Sequence, residues 1–162
     1  MDKIVIPRHA DALANEWVMR LQVTCGPEQL VGDTPDGRRT NYDILGGTAT
    51  GPAIDAVVLP GGADWFLERP DGVGQLDARY SMRTDDGVII NVWNRGLLRY
   101  ACGLREQDIA SWPPQRHQYL CHCTPQFLAP QGRYGWLNAN LFVGEVSYPD
   151  ADGVVVDFYR LA

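Results

Sequence analysis

The chain predicts an all-β, antiparallel fold of about nine or ten strands with one short helix, arranged as a sandwich or a barrel. Three observations carry that expectation. Apolar and polar residues alternate in short runs along most of the sequence, the period of strands with one wet face. Turn signals such as Thr34-Pro35-Asp36-Gly37, Pro70-Asp71-Gly72 and Asp85-Asp86-Gly87 recur between those runs, with proline presetting one dihedral and glycine accepting a positive φ. Only one segment, Leu104 to Trp112, reads as a helix.

Taken in order, residues 1–15 mix charge, proline and alanine without a period and read as a lead-in that covers one end of the fold. From Glu16 to Thr24 the pattern alternates, with Trp17, Met19, Leu21 and Val23 on one face and Arg20, Gln22 and Thr24 on the other, which is a half-buried strand. A short run at Gln29 to Gly32 is answered across the Pro-Asp-Gly turn by Arg38 to Leu45. Gly46, Gly47 and Gly51 then fall inside what reads as strand; glycine there marks a bulge, a barrel corner or a close backbone approach. Ala53 to Leu59 gives a further strand before Pro60-Gly61-Gly62 opens the central meander.

That meander, residues 59–96, organises the rest. Its runs are Asp64 to Arg69, Gln75 to Thr84 and Val88 to Arg95. A three-residue loop of Asp85, Asp86 and Gly87 sets Thr84 against Val88, and the pairing continues as Met82 with Ile90, Tyr80 with Val92 and Ala78 with Asn94. The opposite face then carries Asp77, Arg79, Ser81 and Arg83 against Arg95, Trp93, Asn91 and Ile89. A two-residue loop would scramble this separation. Whether the polar face meets water or lines a wet cavity decides what the protein can do, and alternation alone labels neither side.

After the meander, Glu106, Gln107 and Asp108 precede Ile109, and Pro113-Pro114 stops any continuation, which gives the short helix. It sits in an insertion-like connection, residues 97–118, suited to a lid or an oligomer contact. Strands return at Gln118 to Thr124, Gly135 to Tyr148 with a bend, and Val154 to Leu161.

At 162 residues the chain fits one domain with a real core. Its formal charge is −6 and its arginines are scattered, which argues against nucleic acid as a partner. The four cysteines, at 25, 102, 121 and 123, match neither a paired metal site nor a disulfide scaffold, so reduced thiols in a cytoplasm are expected. No segment reads as a signal peptide or reaches the ~20 apolar residues that span a bilayer, and no membrane is expected as a partner.

Candidate chemistry falls on a few residues. Asp64 follows a double glycine and precedes Trp65, so it reads either as a general base beside an aromatic wall or as a turn cap. Asp77 and Arg79 share a strand face; in a cavity they would supply a proton acceptor and an oxyanion partner, and on the surface only weak cross-strand pairs. Tyr80, Trp65, Trp93 and Trp136 would line a pocket for an aromatic ligand or simply fill core, with Asn138 an amide donor or a turn residue. In Cys121-His122-Cys123 alternation points the thiols one way and the imidazole the other, so no metal is expected there. Nucleotide-binding glycine motifs are absent, and no cofactor is expected.

The runs TPDGRR at 34–39, ILGGTATGP at 44–52, LPGGADWFLERPDG at 59–72, LDARYSMRTDDGVIINVWNRG at 76–96 and YGWLNANLFVG at 134–144 closely resemble the bacterial and fungal family called domain of unknown function 3237, or uncharacterised protein family 0311. The resemblance runs from about residue 17 to the end. It implies a calycin-like, lipocalin-like β-barrel with a lumen, hence a site for a small molecule. Some fungal members resemble cofactor-free cyclases that close an oxygen ring across an alkene or enone. Residues 97–118 and the CHCTPQF strand depart from the pattern, and substrate choice is expected to sit there.

The reading is therefore a cofactor-free cyclase, isomerase or lyase that moves a proton on an apolar, aromatic or polyketide-like metabolite. Asp77 or Asp64 is the base, Arg79 the oxyanion partner, and Tyr80, Trp65, Trp93, Trp136 and Asn138 shape the pocket. The alternative is a lipocalin-type carrier without chemistry, and the barrel edges leave room for a homodimer.

Overall fold

The computed structural model describes residues 13–162, so the lead-in expected over residues 1–15 lies almost wholly outside the described residues. Ten strands follow: β1 (Asn15–Cys25), β2 (Gln29–Thr34), β3 (Gly37–Gly51), β4 (Ile54–Val58), β5 (Gly62–Glu68), β6 (Gly74–Thr84), β7 (Ile89–Tyr100), β8 (Tyr119–Leu128), β9 (Phe142–Ser147) and β10 (Gly153–Leu161). All pair antiparallel. They form a closed eight-strand barrel with two extra strands.

Strand β3 closes the ring because it is 15 residues long and works in two halves. Its first half lies between β2 and β5, and its second half between β1 and β4. Strands β4 and β5 also both pair with β6, so they fill one position in the wall end to end. The glycines expected to mark a close approach lie on this seam. A Cβ on Gly47 would stand 2.1 Å from the Gln22 carbonyl oxygen, and one on Gly51 2.0 Å from that of Val18. Any side chain at either position would push β3 off β1.

The central hairpin has the expected register. The Thr84 N–H donates to the Val88 carbonyl and that of Gly87 to Thr84, both at 2.9 Å, with Gly87 at φ 86°. Tyr80 pairs with Val92, Met82 with Ile90 and Ala78 with Asn94. Met82 and Ile90 are fully buried and Tyr80, Val92, Asn94 and Thr84 nearly so, so this face is the inside. The face carrying Asp77, Arg79, Trp93 and Arg95 is therefore the outside of the barrel. That resolves the fork left by alternation.

An eight-strand barrel is just wide enough for side chains to fill, and most of this one is filled. Met19, Leu21, Met82, Ile90, Val146 and Phe158 are sealed from solvent, with Phe127 edge-on to Phe142 and Phe158 at 5.1 and 5.7 Å. In β8, Cys121 and Cys123 point into this core and His122 is exposed, as alternation requires.

Two elements differ from expectation. The helix expected over Leu104 to Trp112 is replaced by a single 3₁₀ turn at Glu106–Asp108, with others on either side at Ala101–Gly103 and Arg116–Gln118. The Asp108 carboxylate turns back to accept the Arg105 N–H at 2.8 Å, closing one turn, and the segment carries no apolar stripe to hold a longer helix. The strand expected from Gly135 begins only at Phe142, because Gly135–Asn138 forms another 3₁₀ turn. Among the described residues no helix is long and apolar enough to cross a membrane.

Candidate active site at one end of the barrel

The core stops short of one end of the barrel, and the space left is a pocket of about 280 Å³. The end of β1 brings Cys25 and the following Glu28, β3 brings Tyr42, β5 brings Asp64 and Phe66, and β7 brings Leu98 and Tyr100. The β9–β10 connection adds Tyr148 and Asp152. Residues 101–118 form a strap that contributes Glu106 and Trp112 to the same wall. Trp112 is held there by its ring, 4.9 Å from that of Tyr148, which in turn lies 5.5 Å from Tyr119.

Asp64 faces Tyr42 across the β3–β5 pair and Ala78 across the β5–β6 pair, and points inward. One carboxylate oxygen accepts the Asp77 backbone N–H at 2.8 Å. Burial destabilises the charged form and raises the pKa from 3.8 to about 6; the backbone bond opposes the rise and the Asp77 charge adds to it. A carboxylate poised near neutrality is suited to taking and returning protons.

Phenols surround it. Burial, then the charges of Glu28, Glu106 and Asp64, push the Tyr42 hydroxyl up to about 12. Burial drives Tyr100 and Tyr148 higher still. All three stay neutral donors at physiological pH. The Tyr100 hydroxyl is buried with no hydrogen-bond partner among the described residues. On the strap, burial, a hydrogen bond with Glu68 and the charges of Glu68 and Glu28 raise Glu106 to about 7. Burial likewise lifts Cys25 to about 11 and Cys121 to about 12, so neither is an activated thiolate.

Of the residues expected to form the site, only Asp64 lines this pocket. Asp77 and Arg79 do not share a lumen with a ligand: both stand outside, because β6 alternates and its even-numbered side chains face the core. There the Trp93 Nε1–H donates to Asp77 at 2.6 Å, while the guanidinium groups of Arg79 and Arg95 cover the Trp93 ring at 4.4 and 4.3 Å. Asp77 and Arg95 border an open furrow of about 1240 Å³ on the outer wall, with His122 and Glu145. Trp65 is also external and 42% exposed.

Tyr80 is inside but locked in the packed centre, its hydroxyl pushed up by burial. Trp136 packs against Phe142 at 5.9 Å and borders a separate shallow pocket with Trp17 and Arg160. Asn138 is a turn residue: its side chain accepts the Ala129 N–H at 2.9 Å and donates to the Ala129 carbonyl at 2.8 Å. The site residues missed by sequence reasoning are Tyr42, Tyr100, Tyr148, Glu106 and Trp112. Tyr100 shares the inward parity of Ile90, Val92 and Leu98, which was the available signal; Glu106 and Trp112 lie in the segment marked as a lid.

A closed antiparallel barrel with a carboxylate and three phenols in a pocket at one end defines a class: a barrel with a small-molecule-sized cup. Within it, this chain belongs to the family described as protein of unknown function (DUF3237), which matches residues 14–161. A UPF0311 protein of Rhodopseudomonas palustris strain ATCC BAA-98 / CGA009 is 31% identical over 149 residues, covering 92% of this chain and 97% of that one. A crystal structure of a conserved protein of unknown function from Rhodopseudomonas palustris superposes with a TM-score of 0.85 at 30% identity, covering 93% of this chain and 99% of that chain. A β-barrel like protein from Acinetobacter baumannii AYE gives 0.82 at 27% identity, over 99% and 100%. An enzyme from Penicillium herquei gives 0.70 at 19% identity, over 97% and 100%, a likeness of fold alone.

Proposed function

We propose that the protein is a cofactor-independent proton-transfer enzyme, a cyclase, isomerase or lyase, acting on a small, largely apolar molecule in the Asp64 pocket. The observation that carries this reading is a buried carboxylate, raised to about 6, in a cavity walled by phenols and aromatic rings. Asp64 takes a proton from an acidic C–H or O–H of the substrate. The oxyanion that develops is met by neutral phenol donors, since Arg79 lies outside and, among the described residues, no Lys, Arg or His lines the pocket. Phe66, Leu98 and Trp112 hold the apolar part and keep water away. The apolar and aromatic walls favour a conjugated or aromatic substrate of polyketide type.

The test uses 3-cyclohexen-1-one, whose α-hydrogens flanked by carbonyl and alkene are acidic, incubated with the protein in D₂O. Wild type exchanges the α-hydrogens, at a rate that rises with pH through about 6 as Asp64 ionises. Asp64→Asn lowers exchange by ~100-fold or more, the scale of a lost general base. Binding of the ketone, read by quenching of tryptophan fluorescence, with no exchange above buffer would make the protein a carrier instead.

A further inference from the structure

We propose that Glu106 is the second proton-carrying group of the site, a general acid that the strap brings to the pocket of Asp64. This rests on the proton-transfer reading above and adds to it which end of the substrate is protonated and by what.

Glu106 and Asp64 line one cavity but arrive on different elements, the 101–118 strap and β5. Tyr42 lines the same cavity, and the charges of both carboxyl groups act on its hydroxyl. The groups facing Glu106 are Glu68 on β5, Glu28 after β1, Arg38 and Tyr42 on β3, and Tyr100 on β7. Crowding by the Glu68 and Glu28 carboxyl groups favours the protonated form of Glu106. Glu106 rises to about 7 and Asp64 to about 6. Both are held above the ordinary carboxylate range with Glu106 the higher, so Asp64 is the one that gives up its proton first, the ordering of a base and an acid that work together.

The accounting closes without a co-reactant. Asp64 takes a proton from the carbon or oxygen acid at one end of a conjugated substrate, and the freed electron pair moves along the π system. Glu106 gives its proton to the carbon at the far end. The substrate leaves as an isomer; Asp64 holds one proton more and Glu106 one fewer, and exchange with solvent resets both. The substrate class is thus a conjugated or β,γ-unsaturated carbonyl compound with separated sites of deprotonation and reprotonation.

With 3-cyclohexen-1-one the two steps have separate readouts. Deuterium exchange at the α-carbon needs only Asp64, whereas conversion to 2-cyclohexen-1-one, followed by its ultraviolet absorbance, also needs protonation at the γ-carbon. Glu106→Gln keeps the length of the side chain and an N–H donor but carries no proton that it can give up. It is expected to cut conversion by ~100-fold or more and to lower the ratio of conversion to exchange by a similar factor. Wild-type conversion falls above pH about 7 as Glu106 ionises; the variant lacks that limb.

Conversion by E106Q at the wild-type rate, with Glu106→Ala alone impaired, would reduce Glu106 to a strap contact and overturn the proposal. Equal loss of exchange and conversion in E106Q would overturn it too. An unaltered exchange rate in D64N would instead remove the base, a failure of the underlying reading that E106Q does not share.

Discussion

Asp64 and Asp77 are joined by one hydrogen bond, the Asp77 N–H to the Asp64 carboxylate at 2.8 Å, yet they stand on opposite sides of the barrel wall. Asp64 faces a cavity and burial lifts it to about 6. Asp77 faces outward, its carboxylate taken by the Trp93 indole and by Arg79 3.8 Å away. The residue type is the same and the sequence neighbourhoods are equally suggestive. What separates them is the parity of a side chain in a pleated strand: one parity places a charge where water is scarce, the other where it is cheap.

The sharpest break in that comparison is catalytic. On the proposed reading Asp64→Asn removes the base and is expected to lower α-exchange by ~100-fold or more. Asp77→Asn leaves exchange within about threefold, because Asp77 holds Asp64 through its main chain and the substitution spares that bond. Deuterium incorporation followed by NMR in both variants decides it.

Stability should move the opposite way. Raised from 3.8 to about 6, Asp64 binds more protons folded than unfolded across that window, so the stability it contributes is full below pH about 4 and is lost as pH rises through about 6. At pH 7 its charge opposes folding by up to ~3 kcal/mol at 1.36 kcal/mol per unit, less because the pocket admits some solvent. Asp64→Asn is therefore expected to be more stable than wild type at pH 7 by about 1–2 kcal/mol, a few degrees in Tm, and the gain should vanish at pH 3. Denaturant melts at the two pH values measure it. A variant less stable at pH 7 would mean that the carboxylate is held by the fold for structural reasons. Loss of activity with gain of stability is the signature of a group placed for chemistry.

The fold was legible because its signals are local. Asp85-Asp86-Gly87 fixes a loop, the loop fixes the register, and the register separates the two faces of β6 and β7. Glycines 47 and 51 announced a close approach, although only closure of β1 on β3 shows which backbone they meet. The site was less legible because a pocket is assembled from distant positions. Tyr42, Tyr100 and Tyr148 lie on three strands or their ends, and their convergence is a property of barrel curvature that no short window contains. Asp77 and Arg79 drew attention because an acid and a base two residues apart share a face; alternation reveals the sharing but not the side. Asn138 and Trp136 were read from a strand that proved to be a turn, so their directions changed with it.

The outer cluster provides the smallest and most discriminating prediction. Trp93 lies between two guanidinium groups, and an Arg79 side chain 57% exposed meets an Asp77 side chain 39% exposed. Exposed cation–π contacts and surface ion pairs contribute about 0.5–1 kcal/mol and 0–1 kcal/mol respectively. Arg79→Ala should therefore cost ~1 kcal/mol or less, and half-molar salt should shrink even that, because solvent screens a pair on the outside of a barrel. Chemical denaturation at two salt concentrations reads both effects. The same variant should exchange α-hydrogens like wild type. Should Arg79→Ala or Asp77→Asn abolish exchange while Asp64→Asn preserves it, the chemistry would belong to the outer furrow beside His122 and Glu145. The buried acid would then be a cost that the fold bears for some other reason, and the contrast between the two aspartates would have to be read in reverse.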